Sequence, residues 1–177
     1  MMRHLFLKLY RYVYFLKSQK NKDIPTFMPR NQGLPVGGQF PGLTDAYAHT
    51  DLKEQDGIIV LFLSTTCQTC IEIFTAIDRL AERWPSKKML LFIYGDDAEF
   101  RQIQRENQIE VPMIPYEQTQ FELYKTAIFP YVYVLSYQGI ILAQGTVNAV
   151  EKVDEIVNKG IEGIEYTQLT ETGGETV

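Results

Sequence analysis

Cys67 and Cys70 are the only cysteines in this chain of 177 residues, and they are separated by Gln68 and Thr69. Disulfide exchange proceeds by attack of a thiolate on a disulfide sulfur, through a mixed disulfide that a second thiol then resolves. A gap of two residues lets the second sulfur reach the first without moving the backbone, so the spacing assigns Cys67 as nucleophile and Cys70 as resolving cysteine. Ahead of the pair, Gly57 opens IIVLFLS, an apolar and largely branched run that reads as a strand buried on both faces. Behind it, QTCIEIFTAIDRLAERW places Ile71, Phe74, Ile77, Leu80 and Ala81 near the helical period, and Pro85 closes that helix beyond Trp84. Cys67 therefore stands where a buried strand hands over to a helix. There the unpaired N–H groups and the positive end of the helix lower a thiol's pKa from about 8.5. Cys67 is expected to be partly exposed, and Cys70, in the first helical turn, more buried.

Two other uses of such a pair compete with this one. Half of a tetrahedral zinc site has the same spacing, but the other half would have to come from His4 and His49, one in a basic head and one in a loop. Inert core thiols are the second, since free cysteine is often buried. The strand-to-helix context favours exchange chemistry over both, and nothing in these residues calls for a metal or a cofactor. A stapling role is disfavoured as well, because disulfide frameworks need more cysteines than two.

Composition narrows the partners. The chain is 45% hydrophobic, enough for one domain with its own core. Its net charge of −5 is uneven: residues 1–30 carry seven basic side chains against Asp23, a net +6, which leaves −11 for the remainder. An acidic body is a poor match for nucleic acid, whereas the basic head suits an anionic membrane surface. Residues 1–20 contain no apolar run long enough to span a bilayer, and they lack the apolar core and small-residue cleavage site of a signal peptide. As a helix they would set Leu5, Leu9, Tyr12, Val13 and Leu16 on one face and His4, Lys8 and Arg11 on another. Such a helix either lies in a membrane interface or docks on the domain or on a second subunit.

Residues 21–46 hold four prolines and four glycines and read as a linker and lead-in loop, with the main domain over 47–160. Within that domain MLLFIYG is a second buried strand, DDAEFRQIQREN a polar helix begun by acids, and the stretch around EVPMIPYEQ a short strand or loop. FELYKTA is a short helix. FPYVYVLSYQGIILAQG forms an antiparallel hairpin about Gln138 and Gly139. VNAVEKVDEIVNKG is a last amphipathic helix capped by Gly160, and residues 161–177 form an acidic, turn-prone tail expected to fray.

Phe129-Pro130 directly precedes the strand YVYVL, where a proline is tolerated only at the first position or in a bend. A cis bond there would leave adjacent backbone free to pair with an extended substrate beside Cys67. Spacing alone favours an ordinary trans proline that starts a strand.

The order of GGQFPGL, VLFLSTTCQTCIEIF and TAIFPYVYVLSYQGIILAQG resembles the thioredoxin-like redoxins of the TlpA type, and among them the MauD-like proteins of methylamine utilisation. The likeness covers roughly residues 33–160. It implies an α/β, thioredoxin-like fold, a central mixed sheet flanked by helices with an inserted helix-strand unit. It also implies a cis Pro130 and a Cys67 exposed at the edge of the site, with Thr66, Gln68, Thr69, Phe129 and Pro130 as substrate contacts.

Departures from that pattern are specific. Thioredoxins carry a buried acid six residues before the first cysteine and a tryptophan directly before it, and here those places hold Leu61 and Thr66. The residue after the proline is Tyr131 in place of the usual threonine, which either narrows the substrate groove or packs in the core. The membrane span that begins MauD-like proteins is missing from this head.

The function expected is exchange of disulfides with a dedicated protein client, and a redox partner regenerates the dithiol or disulfide. Alternatives are a peroxiredoxin-like peroxidase, which lacks its proline-threonine pocket before Cys67, and a non-catalytic binding module of the same fold. The resemblance places the chain at the cell membrane or the extracytoplasmic face of a bacterium; a basic head on the cytoplasmic leaflet would place it in the cytoplasm instead.

Overall fold

A computed structural model describes residues 32–43 and 56–172, with side chains through residue 162. The expected amphipathic helix over 1–20 lies outside the described residues, as do His4, His49 and residues 173–177. Five strands, β1 (Gly57–Ser64), β2 (Lys87–Tyr94), β3 (Met113–Tyr116), β4 (Tyr131–Ser136) and β5 (Ile141–Thr146), form one mixed sheet in the order β3-β2-β1-β4-β5. β1 pairs parallel with β2 and antiparallel with β4, β2 pairs parallel with β3, and β4 pairs antiparallel with β5. The helices are α1 (Gln68–Phe74), α2 (Ile77–Arg83), α3 (Asp97–Asn107), α4 (Phe121–Tyr124) and α5 (Val150–Thr172).

The apolar run at 57–64 becomes the middle strand because it alone has no polar face to give to water. All eight residues of β1 are buried, and successive side chains enter different cores. Ile59, Leu61 and Leu63 join Leu91, Ile93, Val132 and Val134 beneath α1, α2 and α5, in a mainly aliphatic layer. Ile58, Val60 and Phe62 enter the opposite layer, built on Phe40, Phe92, Tyr116, Tyr124 and Tyr133. Phe62 stacks on Phe92 with centroids 4.8 Å apart and meets Tyr116 edge-on at 4.8 Å. Each such side chain contributes roughly 1.5–3 kcal/mol by leaving water.

Four local expectations are revised. The helix after the cysteines is two helices: the Thr75 hydroxyl donates to the Glu72 carbonyl at 2.8 Å and the Ala76 N–H bonds Ile73, tightening the chain into a turn that redirects Ile77 into the core. Residues 32–43 belong to the body instead of leading up to it. Phe40 is buried, its N–H donates to the Gly139 carbonyl, Gly37 and Gly38 bond Ile141, and the Leu34 N–H donates to the Tyr133 hydroxyl. The compact region accordingly starts ahead of residue 47. Gly160 is no cap, and the tail expected over 161–177 continues α5 to Thr172. The penalty of a glycine in a helix, about 1 kcal/mol, is outweighed by packing. A Cβ on Gly160 would lie 2.8 Å from Val134 Cγ1 and 3.5 Å from the Ala143 Cβ, so its bare backbone is what lets α5 settle on β4 and β5. Finally, Phe129-Pro130 is cis, against the trans isomer that spacing favours and as the resemblance implied. Tertiary surroundings set this isomer: the Pro130 carbonyl accepts from Val147 N at 3.0 Å while the Phe129 ring lodges among Tyr94, Tyr116 and Phe121.

These contacts make a prediction that runs against helix propensity. Gly160→Ala should destabilise the fold by about 1 kcal/mol net, as overpacking against the stiff, buried Val134 exceeds the gain in propensity. Urea unfolding followed by circular dichroism measures it, and a stabilised variant would refute the packing account.

Candidate active site

β1 ends at Ser64, and the chain then turns. The Cys67 N–H donates to the Ser64 carbonyl at 3.3 Å, closing a turn whose middle residues are the buried Thr65 and the exposed Thr66. Short hydroxyl side chains stabilise it: the Thr66 N–H donates to Ser64 Oγ at 3.3 Å, and the Ser64 and Thr66 hydroxyls are 3.1 Å apart. The turn delivers Cys67 as the N-cap of α1, with extended backbone (φ −90°, ψ 124°). Its Sγ accepts from the Cys70 N–H at 3.3 Å, in the place where a serine or aspartate oxygen usually caps a helix.

Cys70 is fully buried in the aliphatic layer, and its Sγ accepts from the Ser64 N–H at 3.4 Å. Cys67 is half-buried, and its thiol donates to the Phe129 carbonyl at 3.5 Å, in the segment that leads into β4. Both sulfurs are free thiols. The structure thus brings together Cys67, Cys70 and the main chain before Pro130. Gln68 is exposed and Thr69 half-buried on the first turn of α1, and with Thr66 they border Cys67 along the chain.

The surroundings split the two thiols. Cys67 is lowered from 9.0 to about 7, chiefly by the hydrogen bond from the Cys70 thiol and further by the N–H groups of Cys70 and Thr69, against the opposing effect of partial burial. Cys70 is pushed far up, first by burial and then by the adjacent Cys67, with the Ser64 N–H offsetting only part of this. One sulfur is a nucleophile near neutral pH, and its neighbour holds its proton. Leu61, where a buried acid would stand in a thioredoxin, is fully buried among aliphatic side chains.

Several contributors escaped sequence reasoning. Ser64 serves both cysteines through its carbonyl and N–H, and only the run of three hydroxyl residues before Cys67 hinted at a structured turn. Thr65 Oγ1 donates to Glu99 Oε2 at 2.6 Å, joining this turn to α3. Tyr94 stacks on Phe129 at 5.5 Å with planes 10° apart, and Phe121 packs on both at 5.3 and 6.0 Å. All three rings are half-buried, so an aromatic shelf continues from the backbone that faces Cys67. Tyr131 is not part of it. It is buried in the aromatic core with its hydroxyl on Gln144, which decides for packing over groove narrowing.

No protein-family model matches the sequence, and no curated protein resembles it closely enough to match. Solved structures do match. The chain is similar to the thioredoxin domain of a thiol-disulfide oxidoreductase from Bacteroides vulgatus, with a TM-score of 0.55 and 14% identity over 71% of this chain and 99% of that one. A thioredoxin-like protein from Aeropyrum pernix gives a TM-score of 0.52 and 14% identity, covering 61% of this chain and 81% of that one. A secreted Mycobacterium tuberculosis disulfide oxidoreductase, homologous to E. coli DsbE, gives 0.51 and 11%, covering 62% and 84%. The fold is thioredoxin-like. At these identities the likeness carries the architecture, and the chemistry rests on the geometry of the two cysteines.

Alkylation by iodoacetamide tests that geometry. Modification of Cys67 should follow one titration with a midpoint at about 7. Below it the thiolate fraction, and with it the rate, should fall about tenfold per pH unit, and above it the rate should level off. Cys70 should stay unmodified in the folded protein. Peptide mapping assigns the labelled residue; a midpoint at an ordinary thiol value would contradict the capping geometry.

Proposed function

We propose that this chain is a thiol-disulfide oxidoreductase that exchanges disulfides with an extended segment of a protein client, in the manner of TlpA-type and MauD-like redoxins. The observation that carries this reading is a half-buried Cys67 sulfur held between the Cys70 N–H and the Phe129 carbonyl, with its resolving partner buried one helical turn away.

In the reducing direction, the Cys67 thiolate attacks one sulfur of a client disulfide. That S–S bond breaks, a Cys67–client bond forms, and the other client sulfur leaves as a thiolate that takes up a proton. Cys70 then loses its proton and attacks Cys67 Sγ, which forms the Cys67–Cys70 disulfide and releases the second client sulfur as a thiol. Two electrons pass from the dithiol to the client. The oxidising direction is the same sequence reversed, and a separate redox partner restores the starting state in either case. An attacking thiol is most effective when its pKa lies near ambient pH, which suits a Cys67 at about 7.

The site offers the client two kinds of contact. Main chain just before Pro130 supplies polar groups for an extended backbone, and Phe129, with Tyr94 and Phe121 beside it, supplies apolar surface. Thr66, Gln68 and Thr69 form an uncharged rim. The extracytoplasmic face of a bacterial cell is the location we favour, on the resemblance of the sequence and on the secreted nature of one structurally similar protein. The basic head would rest on the membrane surface. No helix among the described residues is long and apolar enough to cross a membrane.

Cys70→Ser tests the function directly. With resolution blocked, the variant should accumulate a mixed disulfide with its client that dithiothreitol releases and mass spectrometry identifies, whereas Cys67→Ser should capture nothing. Capture through neither variant, with a biological role that survives loss of Cys67, would mark a binding module. Rapid oxidation of Cys67 by peroxide would mark a peroxidase. The direction follows from the measured reduction potential, an oxidant lying near about −120 mV and a reductant near about −270 mV.

A further inference from the structure

The turn that seats Cys67 is fastened to the neighbouring strand–helix junction through one buried residue. Thr65 is fully buried, its N–H donates to the Tyr94 carbonyl at 3.0 Å, and its hydroxyl donates to Glu99 Oε2 at 2.6 Å. The junction is shaped around it. A Cβ on Gly95 would lie 2.2 Å from Thr65 Oγ1 and 2.4 Å from its Cγ2, so only the absence of a side chain at 95 lets Thr65 reach Glu99. Glu99 is itself held in the first turn of α3, where its N–H donates to Asp96 Oδ1 at 2.8 Å, and where a carboxylate is favoured by the helix's positive end.

Thr65 is one of the two middle residues of the Ser64–Cys67 turn, and both sulfurs depend on that turn. Ser64 N–H reaches Cys70 Sγ, the Ser64 carbonyl accepts from Cys67 N–H, and the resulting backbone direction sets Cys67 Sγ against the Cys70 N–H. We propose that Glu99 is a positioning residue for Cys67, acting through the Thr65 hydroxyl to hold the turn that presents the thiol to its N–H donors. The inference rests on the oxidoreductase reading, since it assigns Glu99 a part in preparing that nucleophile. A charge-assisted hydrogen bond is short and strong, and here it replaces the solvent that a buried hydroxyl has given up.

The sign of the effect separates positioning from mere proximity of charge. Losing the clamp frees the turn, weakens the N–H contacts to the thiolate, and raises the Cys67 midpoint. Removing a nearby negative charge with geometry intact would lower it. Asp96 and Asp97, the other acids at this end of α3, are exposed and stay in place in every variant.

The experiment is the iodoacetamide titration of Cys67 in full-length Glu99→Ala, Glu99→Gln, Thr65→Val and Thr65→Ser, each checked for folding by circular dichroism. Glu99→Ala and Thr65→Val should raise the midpoint by about half a unit or more, which slows alkylation at pH 6 by about threefold or more. Combining the two should add nothing further. Thr65→Ser keeps the hydroxyl and should stay close to the parent, and Glu99→Gln keeps an acceptor while losing the charge and should lie at or slightly below the parent midpoint. An unchanged or lowered midpoint in Glu99→Ala, or a Glu99→Gln as shifted as Glu99→Ala, would overturn the positioning role while leaving the dithiol chemistry untouched. A parent protein with an ordinary Cys67 midpoint would overturn the oxidoreductase reading itself.

Discussion

The contact between Cys67 Sγ and the N–H of Cys70 organises this molecule's site, and it exists because β1 leaves the chain no other course. A strand buried on both faces cannot expose its end gradually. At Ser64 the backbone must turn, begin a helix, and find partners for that helix's first N–H groups. A cysteine in the capping position satisfies one of them with sulfur in place of oxygen. The same contact that completes the helix also stabilises the thiolate, so local folding and reactivity are one interaction. Cys70 follows three residues later on the side of α1 that faces the aliphatic layer, which accounts for its burial without any separate device.

The two cores play different parts around this seat. Beneath α1, α2 and α5 the layer is aliphatic and holds the resolving thiol in surroundings that oppose ionisation. On the other side of the sheet, aromatic rings tie residues 32–43 to β4, since Tyr133 takes the Leu34 N–H and donates to the Tyr124 carbonyl. Phe129 packs against both layers. The main chain opposite Cys67 is therefore fixed from two directions, and it leads directly into β4, the strand paired to β1. Cys67 follows the end of β1 by three residues and Phe129 precedes the start of β4 by two, so the pairing of these two strands sets the points from which both segments depart.

What could be read from the sequence follows the range of the interactions concerned. The buried run at 57–64, the helical period after Cys67, the acidic start of α3 and the hairpin at Gly139 all express themselves within a few residues, and each emerged from period, charge and turn chemistry. Gly160 misled because its local signal is that of a cap, while its actual role is to let α5 approach Val134 and Ala143. Phe40 was hidden among prolines and glycines that suggested a linker, although its ring is core. The break at Thr75 depends on one side-chain hydrogen bond, and the isomer at Pro130 on rings drawn from β2 and from the segment after β3. The Thr65–Glu99 bond spans 34 positions, with α1, α2 and β2 between its ends; a threonine two residues before a cysteine and a glutamate in the first turn of a helix gave no sign of each other.

Leu61 raises the question of how Cys70 loses its proton without a buried acid, and the causes of its high pKa supply part of the answer. Burial is the largest of them, but the hydrogen bond and the negative charge of Cys67 add to it. In the exchange we propose, once Cys67 is bonded to a client sulfur its charge is gone, and it no longer competes as the preferred thiolate. What then remains is burial, offset by the Ser64 N–H that already points at Cys70 Sγ. The resolving thiol thus becomes easier to ionise at the stage when it must attack. With the protons placed by this coupling between two sulfurs, a leucine at position 61 is compatible with the exchange proposed above.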